Sequence, residues 1–554
     1  MYSIFLYFLF LFEMDKHQVS IIPQPNNMTI TEQVFNFDED VVFYLDFQDA
    51  KSYEVSNYFF EILNIVPHPS KLKDESLTTP FSVSLLGMVV NKELKQKKVV
   101  ISDNHPAFKN PEIGDEGYIL DISSDTIYIG AKSPKGLFYA IQTIRQLLPL
   151  SIERDKKSCL DEKCSLPGLK VSDFPRFKWR GMHLDVGRHF FSVDEIKKFL
   201  DLLAFYKFNN FHWHLTEDQG WRIEIKKWPR LTEFGSCRSE SPQKGNRNTG
   251  DGVEYCGFYT QKEVKEVVEY AGQLFINVVP EIEIPGHSSA AIASYPQFGN
   301  PNGPTEVLTR WGVSDGVYNI KEETFLFLQD VLSEVMDLFP SEFIHIGGDE
   351  APKGPWKNNP DVQDFIQRED LVDEHGLQSW YIAKIESFLN KNNRRLIGWD
   401  EIQEGGLAPN AAMMVWRNWQ YGIDAANKGH DIVMSPTSHS YFDYYQDDPE
   451  NEPEAIGGYL PLKKVYSFDP VPEELDKDKI NRVLGAQGNL WTEYIYDWDK
   501  LMYMAFPRTV AMAEVVWTLP EFKNYDNFLK RWEINSKRLD SLDVNYRKLS
   551  DNDF

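Results

Sequence analysis

Two carboxylates stand side by side in the stretch "FIHIGGDEAP", where Asp349 and Glu350 follow a short apolar run and the pair Gly347-Gly348. Paired carboxylates suit acid/base chemistry, but the partners in a two-carboxylate mechanism face each other across a substrate. Neighbours on a strand point to opposite faces, so this pair calls for a reaction in which its members do unequal work. Other reactive side chains fall where apolar runs end: Asp185, Arg188 and His189; His212, His214, Glu217 and Asp218; Glu281, Glu283 and His287; Trp399, Asp400 and Glu401; Trp416 and Arg417; Tyr441 and Asp443; Trp491 and Glu493. Carboxylates and tryptophans dominate this set. Indole rings stack on the C–H faces of a pyranose, and carboxylates and arginine bind its hydroxyls in bidentate fashion, so the composition is that of a sugar site. Hydrolysing a glycoside needs a proton donor at the leaving oxygen and a nucleophile at the anomeric carbon. This set contains no Gly-rich phosphate loop, no G-x-S-x-G nucleophile turn and no strand-end cysteine. His212 and His214 flank Trp213 on one strand face, as metal ligands do. The plainer reading is two histidines hydrogen-bonded inside a barrel mouth.

The elements that carry these residues repeat. Eight apolar strands are expected at "WRGMHLDV", "NNFHWHLT", "INVVPEIEIPG", "EFIHIGG", "RRLIGWDE", "AMMVWRN", "DIVMSP" and "VLGAQGNLW". Amphipathic helices lie between them. Ser192 with Glu195 and Thr260 with Glu263 form capping boxes, and Leu328, Val331, Leu332, Val335 and Met336 line another helix face. Strand–helix alternation over 176–525 predicts an α/β fold, a (β/α)8 TIM barrel whose chemistry sits at the C-terminal ends of its strands.

A smaller α+β domain is expected over 20–150, from strands at "KKVVISD", "GYILDIS" and "TIYIGA" and a helix ending at Pro149. Residues 151–175 read as a linker, and 526–554 as a C-terminal helix and tail. The apolar run within 1–19 reads as a signal or leader segment, too short to span a bilayer. A net charge of −26 disfavours nucleic acid and anionic membranes as partners. Cys159 with Cys164 and Cys237 with Cys256 are spaced to close small disulfide loops, which points to a secreted or lysosomal (vesicular lumen) location. Neither pair has C-x-x-C spacing, so a zinc site made of all four cysteines is the lesser reading.

The motifs "RGMHLDVGRHFF", "FHWHLTEDQGWRIEIKKWPRL", "VVPEIEIPGHSSAA", "FIHIGGDE", "IGWDEI", "MVWRNW", "YFDYYQ" and "GAQGNLWTEY" resemble, in order and context, the family-20 glycoside hydrolases, the β-N-acetylhexosaminidases. The resemblance covers about 20–520 and includes an α+β domain before the barrel. It implies exo-hydrolysis of terminal β-GlcNAc and β-GalNAc from glycans or chito-oligosaccharides, without metal or organic cofactor. It also implies that the substrate's own 2-acetamido oxygen attacks C1 to give an oxazolinium intermediate with net retention, one of the exceptions to the two-carboxylate scheme. Glu350 is then the acid and later the base, and Asp349 orients the acetamido N–H. Arg188 holds the 3- and 4-hydroxyls, Trp399, Trp416 and Trp491 form aromatic walls, and Tyr441 donates to the acetamido carbonyl. Asp443 and Glu493 bind outer hydroxyls. His287 supports the acid, with Glu217, Asp218 and Glu283 at supporting polar positions. Many members carry Asp where this chain has Glu217 and Glu283, so each carboxylate here reaches one methylene further. A negative Asp349, and burial under tryptophan rings, are expected to raise the pKa of Glu350. Two alternatives stay open: a metal-dependent barrel hydrolase using His212, His214 and Asp349, and a non-catalytic sugar-binding protein. A homo-oligomer is equally open.

Overall fold

The computed structural model describes residues 19–47, 49–65, 72–74, 97–155 and 157–554; residues 1–18 of the expected leader lie outside this set. The described chain forms two compact units, one of residues up to Pro175 with Glu521–Val544, the other of Arg176–Pro520 with Asn545–Phe554.

The first unit is built on a seven-stranded sheet with β1 (Met28–Asn36), β2 (Val42–Asp46), β3 (Leu72–Asp74), β4 (Lys98–Ser102), β5 (Tyr118–Ile122), β6 (Thr126–Ala131) and β7 (Ser165–Asp173) in the order β1-β7-β5-β6-β4-β2-β3. Pairing is antiparallel from β1 to β6 and parallel from β6 to β3. Alternation along β5 and β6 buries Tyr118, Leu120, Ile122, Ile127 and Ile129 beneath the helix Pro134–Leu147, whose Leu137, Ala140, Ile141 and Ile144 are buried in turn. The stretch 151–175 is not a simple linker. Its second half is β7, which lies between β1 and β5 and buries Leu166, Leu169 and Val171, the last two alternating with Lys170 and Ser172. The helix Tyr525–Ser541 belongs to this unit: Arg538 Nη1 lies 2.5 Å from Glu153 Oε1, and Arg145 Nη2 pairs with the same carboxylate at 3.0 Å. The pair Cys159–Cys164 is disulfide-bonded just before β7.

The second unit is a closed barrel of eight parallel strands: β8 (Trp179–Asp185), β9 (Asn210–His214), β10 (Asn277–Glu281), β11 (Phe343–His345), β12 (Arg395–Trp399), β13 (Ala412–Val415), β14 (Ile432–Met434) and β15 (Val483–Leu490). All eight strands expected from the sequence are present. The strands are short and buried, as parallel strands covered by helices are. Both expected capping boxes form, at Ser192/Glu195 before Val193–Phe205 and at Thr260/Glu263 before Gln261–Gln273. The helix Glu322–Leu338 buries Leu328, Val331, Leu332 and Val335. Cys237 and Cys256 are disulfide-bonded across a short antiparallel pair in the loops after β9. Among the described residues no helix is long and apolar enough to cross a membrane.

Candidate active site

β11 ends at His345, and the chain then leaves strand geometry. Gly347 and Gly348 have φ of 65° and 90°, and Glu350 has φ 44°. A Cβ on Gly347 would collide with the Glu283 carboxylate, so only glycine fits this left-handed position. The turn breaks the alternation that would have sent adjacent side chains to opposite faces. Asp349 is 8% exposed and turned inward, whereas the Glu350 side chain keeps 42% of its surface open. Glu350 is a non-glycine residue in the left-handed region, a form of local strain found at functional sites.

His287 lies between two sets of acids. Its Nδ1 is 3.3 Å from Glu217 Oε2 and 3.4 Å from Asp218 Oδ2, while Nε2 is 3.5 Å from Glu350 Oε2 and 3.7 Å from Asp349 Oδ2. Glu217 also reaches Arg188, with Oε1 2.6 Å from Nη2. The longer Glu217 side chain therefore touches histidine and arginine at once. Arg188 is buried, donates to Gln219 Oε1 at 3.2 Å and Asp185 Oδ2 at 3.3 Å, and lies over the Trp491 ring at 5.4 Å. Glu283 Oε1 is 3.2 Å from His214 Nε2.

Four aromatic rings border this carboxylate cluster. Trp399 and Trp491 have centroids 5.6 Å apart, Trp491 and Tyr441 6.3 Å, and Tyr441 stacks on Trp416 at 6.0 Å. Trp416 Nε1 donates to Glu401 Oε2 at 2.9 Å, and its backbone N–H donates to Asp400 Oδ2 at 2.9 Å. Several buried polar atoms here have no protein hydrogen-bond partner: Asp349 Oδ1, Glu283 Oε2, Asp443 Oδ1, Glu493 Oε2 and Trp491 Nε1. Native proteins pair most such groups, so this concentration marks a surface shaped for a polar guest.

The electrostatics reverse one expectation. Burial, then the charges of Glu401, Glu281 and Glu350, pushes the Asp349 carboxyl well above its ordinary range, against the pull of His287. Glu350 is lowered instead, first by its hydrogen bond to His287 and then by that ring's charge, which together outweigh its partial burial. His287 itself is raised well above the usual imidazole value, because Glu217, Asp218 and Glu350 more than offset its desolvation. The upward shift expected for Glu350 fails because its side chain stays partly open to solvent and a held imidazolium is its near neighbour. Burial also raises Asp443 and Glu493, and Glu283 rises through burial and the facing Asp349.

All the predicted site residues except the cysteines converge here, and the cysteines form disulfides elsewhere. The metal-hydrolase trio does not assemble: His212 Nε2 lies 3.0 Å from Glu281 Oε2, His214 faces Glu283, and Asp349 lies beside His287. The donor groups close enough to share an ion are others, among them His183/His212/Glu281 and Glu217/Asp218/His287. Sequence reasoning gave no role to His183, His345 or Glu281, which fill the barrel interior beneath the rings. Their signal was a polar residue inside an otherwise apolar strand, at "GMHL", "FIHI" and "VVPE".

A rim of tryptophans and acids at the C-terminal ends of a (β/α)8 barrel defines a sugar-processing barrel. Residues 177–520 match the catalytic domain of glycosyl hydrolase family 20, and 18–174 match domain 2 of that family. The chain belongs to glycosyl hydrolase family 20. It is 44% identical over 526 residues to a β-hexosaminidase of Porphyromonas gingivalis, covering 90% of this chain and 66% of that protein. A β-hexosaminidase of Akkermansia muciniphila is 32% identical, with 76% and 83% covered. The chain thus spans about two thirds of the Porphyromonas gingivalis relative. The solved exo-β-N-acetylglucosaminidase of Vibrio harveyi, in complex with N-acetylglucosamine, superposes with a TM-score of 0.80 at 32% identity, covering 96% of this chain and 79% of that one.

Proposed function

We propose that this chain is a retaining exo-β-N-acetylhexosaminidase that removes terminal, non-reducing β-GlcNAc and β-GalNAc from glycans or chito-oligosaccharides by substrate-assisted catalysis. The observation that carries the reading is the set of unpartnered buried carboxylate oxygens facing an arc of Trp399, Trp491, Tyr441 and Trp416. In this mechanism the acetamido oxygen attacks C1 as Glu350 protonates the glycosidic oxygen. Glu350 then takes a proton from the water that opens the oxazolinium ion. Asp349 accepts the acetamido N–H and stabilises the positive charge growing there, and Tyr441 donates to the acetamido carbonyl. Arg188, Asp443 and Glu493 bind ring hydroxyls, and His287, Glu217, Asp218 and Glu283 hold the pair in place.

In the free site Asp349 is raised and Glu350 lowered, opposite to the directions this mechanism needs. Substrate supplies the reversal. An acetamido N–H donated to Asp349 favours its ionised form, and a leaving sugar over Glu350 removes water from it and favours the acid. The two disulfides fit an extracellular or lysosomal compartment. Aryl N-acetylglucosaminide, N-acetylgalactosaminide and plain glucoside assayed side by side test the reading. Cleavage of both N-acetyl substrates with retained anomeric configuration is expected, and an equal rate on the glucoside overturns substrate assistance.

A further inference from the structure

Glu281, the last residue of β10, is an ionisable group that the proposed chemistry leaves unused. It is fully buried in the barrel interior, among four imidazoles and one indole. Its Oε1 accepts a hydrogen bond from Trp399 Nε1 at 2.8 Å and lies 2.8 Å from His345 Nδ1. Its Oε2 lies 3.0 Å from His212 Nε2, 3.7 Å from His214 Nδ1 and 3.9 Å from His183 Nε2. Gln487 Nε2 closes the far side of His212, 3.0 Å from Nδ1.

Trp399 carries these contacts to the pocket. The Trp399 indole is 1% exposed, and its N–H is directed at Glu281. Rotation about the bond to an aromatic ring is broad and soft, so a single anchored N–H decides how the ring stands. In the turn that carries Asp349, Gly347 N–H donates to His345 Nδ1 at 3.0 Å, and Trp399 N–H donates to Gly347 O at 2.8 Å. The carboxylate therefore reaches the pocket through the Trp399 indole N–H, and the turn is tied to the same residue's backbone.

We infer that Glu281 is a positioning residue that fixes the Trp399 indole from inside the barrel, and thereby sets the size of N-acyl group that the pocket admits. The inference rests on Trp399 being a wall of the acetamido pocket, as proposed above. A carboxylate suits the task because it accepts the indole N–H, faces the surrounding imidazoles with its charge and offers no donor to compete. An amide at the same place presents N–H to those same groups and must turn away from one of them.

The test compares aryl glycosides of N-acetyl-, N-propionyl- and N-butyrylglucosamine. A pocket closed on a methyl group discriminates against one more methylene by roughly tenfold or more. Glu281→Gln is expected to lose most of that discrimination, with the N-propionyl to N-acetyl ratio of kcat/KM rising. A merely structural role lowers all three rates together and leaves the ratio unchanged. Should that variant not fold, Trp399→benzothienylalanine keeps the question decisive, because sulfur replaces the N–H in a ring of nearly the same size. It is expected to raise the same ratio, and the two changes combined add little beyond either one. An unchanged ratio in the benzothienyl variant, or additive effects in the double variant, overturns the inference. Failure of the wild-type chain to cleave the N-acetyl substrate overturns the proposed function instead.

Discussion

Glu281 and Asp349 are both buried carboxylates of one barrel, and their surroundings drive them in opposite directions. Glu281, on the barrel floor, receives the Trp399 N–H and is ringed by imidazoles. Burial raises its pKa, yet His214, His345 and His212 bring it well below the ordinary value. Asp349, on the rim, has one oxygen without a protein partner and faces Glu401, Glu281 and Glu350, so it is raised. Burial alone does not set the charge state of a carboxylate; the donors supplied to it do. The floor carboxylate is answered by the protein's own indole N–H and imidazoles, whereas the rim carboxylate stands among other carboxylates.

The largest expected break in this contrast is Glu350→Gln. It should lower kcat/KM on chitobiose by roughly 10²–10⁴ through loss of the proton donor, with little change in the unfolding midpoint. Full activity on that substrate would place the acid elsewhere. Asp349→Asn comes next, with a loss of roughly 10²–10³ in kcat from weaker stabilisation of developing charge, but with a gain in stability at neutral pH. The sign follows from its raised folded pKa. Between the ordinary value of 3.8 and that raised value the folded chain binds more protons than the unfolded one, so stability falls as pH rises through this window. The asparagine variant escapes the fall. Its advantage in urea unfolding should grow with pH and vanish below the ordinary value; a variant less stable at neutral pH contradicts the rim as described.

On the floor the prediction changes sign. Glu281→Ala leaves the Trp399 N–H and buried imidazoles without an acceptor and should cost about 3–5 kcal/mol, read as a lower urea midpoint. Because the folded pKa of Glu281 is depressed, its contribution is present above the ordinary value of 4.5 and shrinks as pH falls through the folded pKa. The subtlest test concerns His287, whose hydrogen bond and charge lower Glu350. In His287→Asn both are gone, the acid keeps its proton to higher pH, and the basic limb of kcat/KM should move upward. A limb that stays in place or moves down would mean that another group sets it.

Much of this was legible in the sequence, for reasons tied to particular residues. Barrel strands are short apolar runs ending in polar residues, so each run also marked where the chemistry would lie. Ser192/Glu195 and Thr260/Glu263 announced their helices because capping is a local hydrogen-bond pattern. β7 was hidden because "SLPGLKVSD" contains proline and glycine, and its place between β1 and β5 depends on partners well over a hundred residues earlier for β1 and about fifty for β5. His183 and His345 were hidden for a similar reason, whereas the H-x-H spacing had already marked His212. His183, His212 and His345 lie on three different strands, and only barrel closure brings them around Glu281.

The sequence by itself therefore determined the barrel and the placing of Asp349 and Glu350 at the end of one of its strands, because periodicity, capping and motif order are local properties. Only the tertiary structure decided which acid's pKa is raised and which is lowered. That depends on His287, some sixty residues from the pair, lying within 3.5 Å of Glu350 while Asp349 is enclosed by other carboxylates. Electrostatic energy follows distance and burial in space, and neither can be read from separation along the chain.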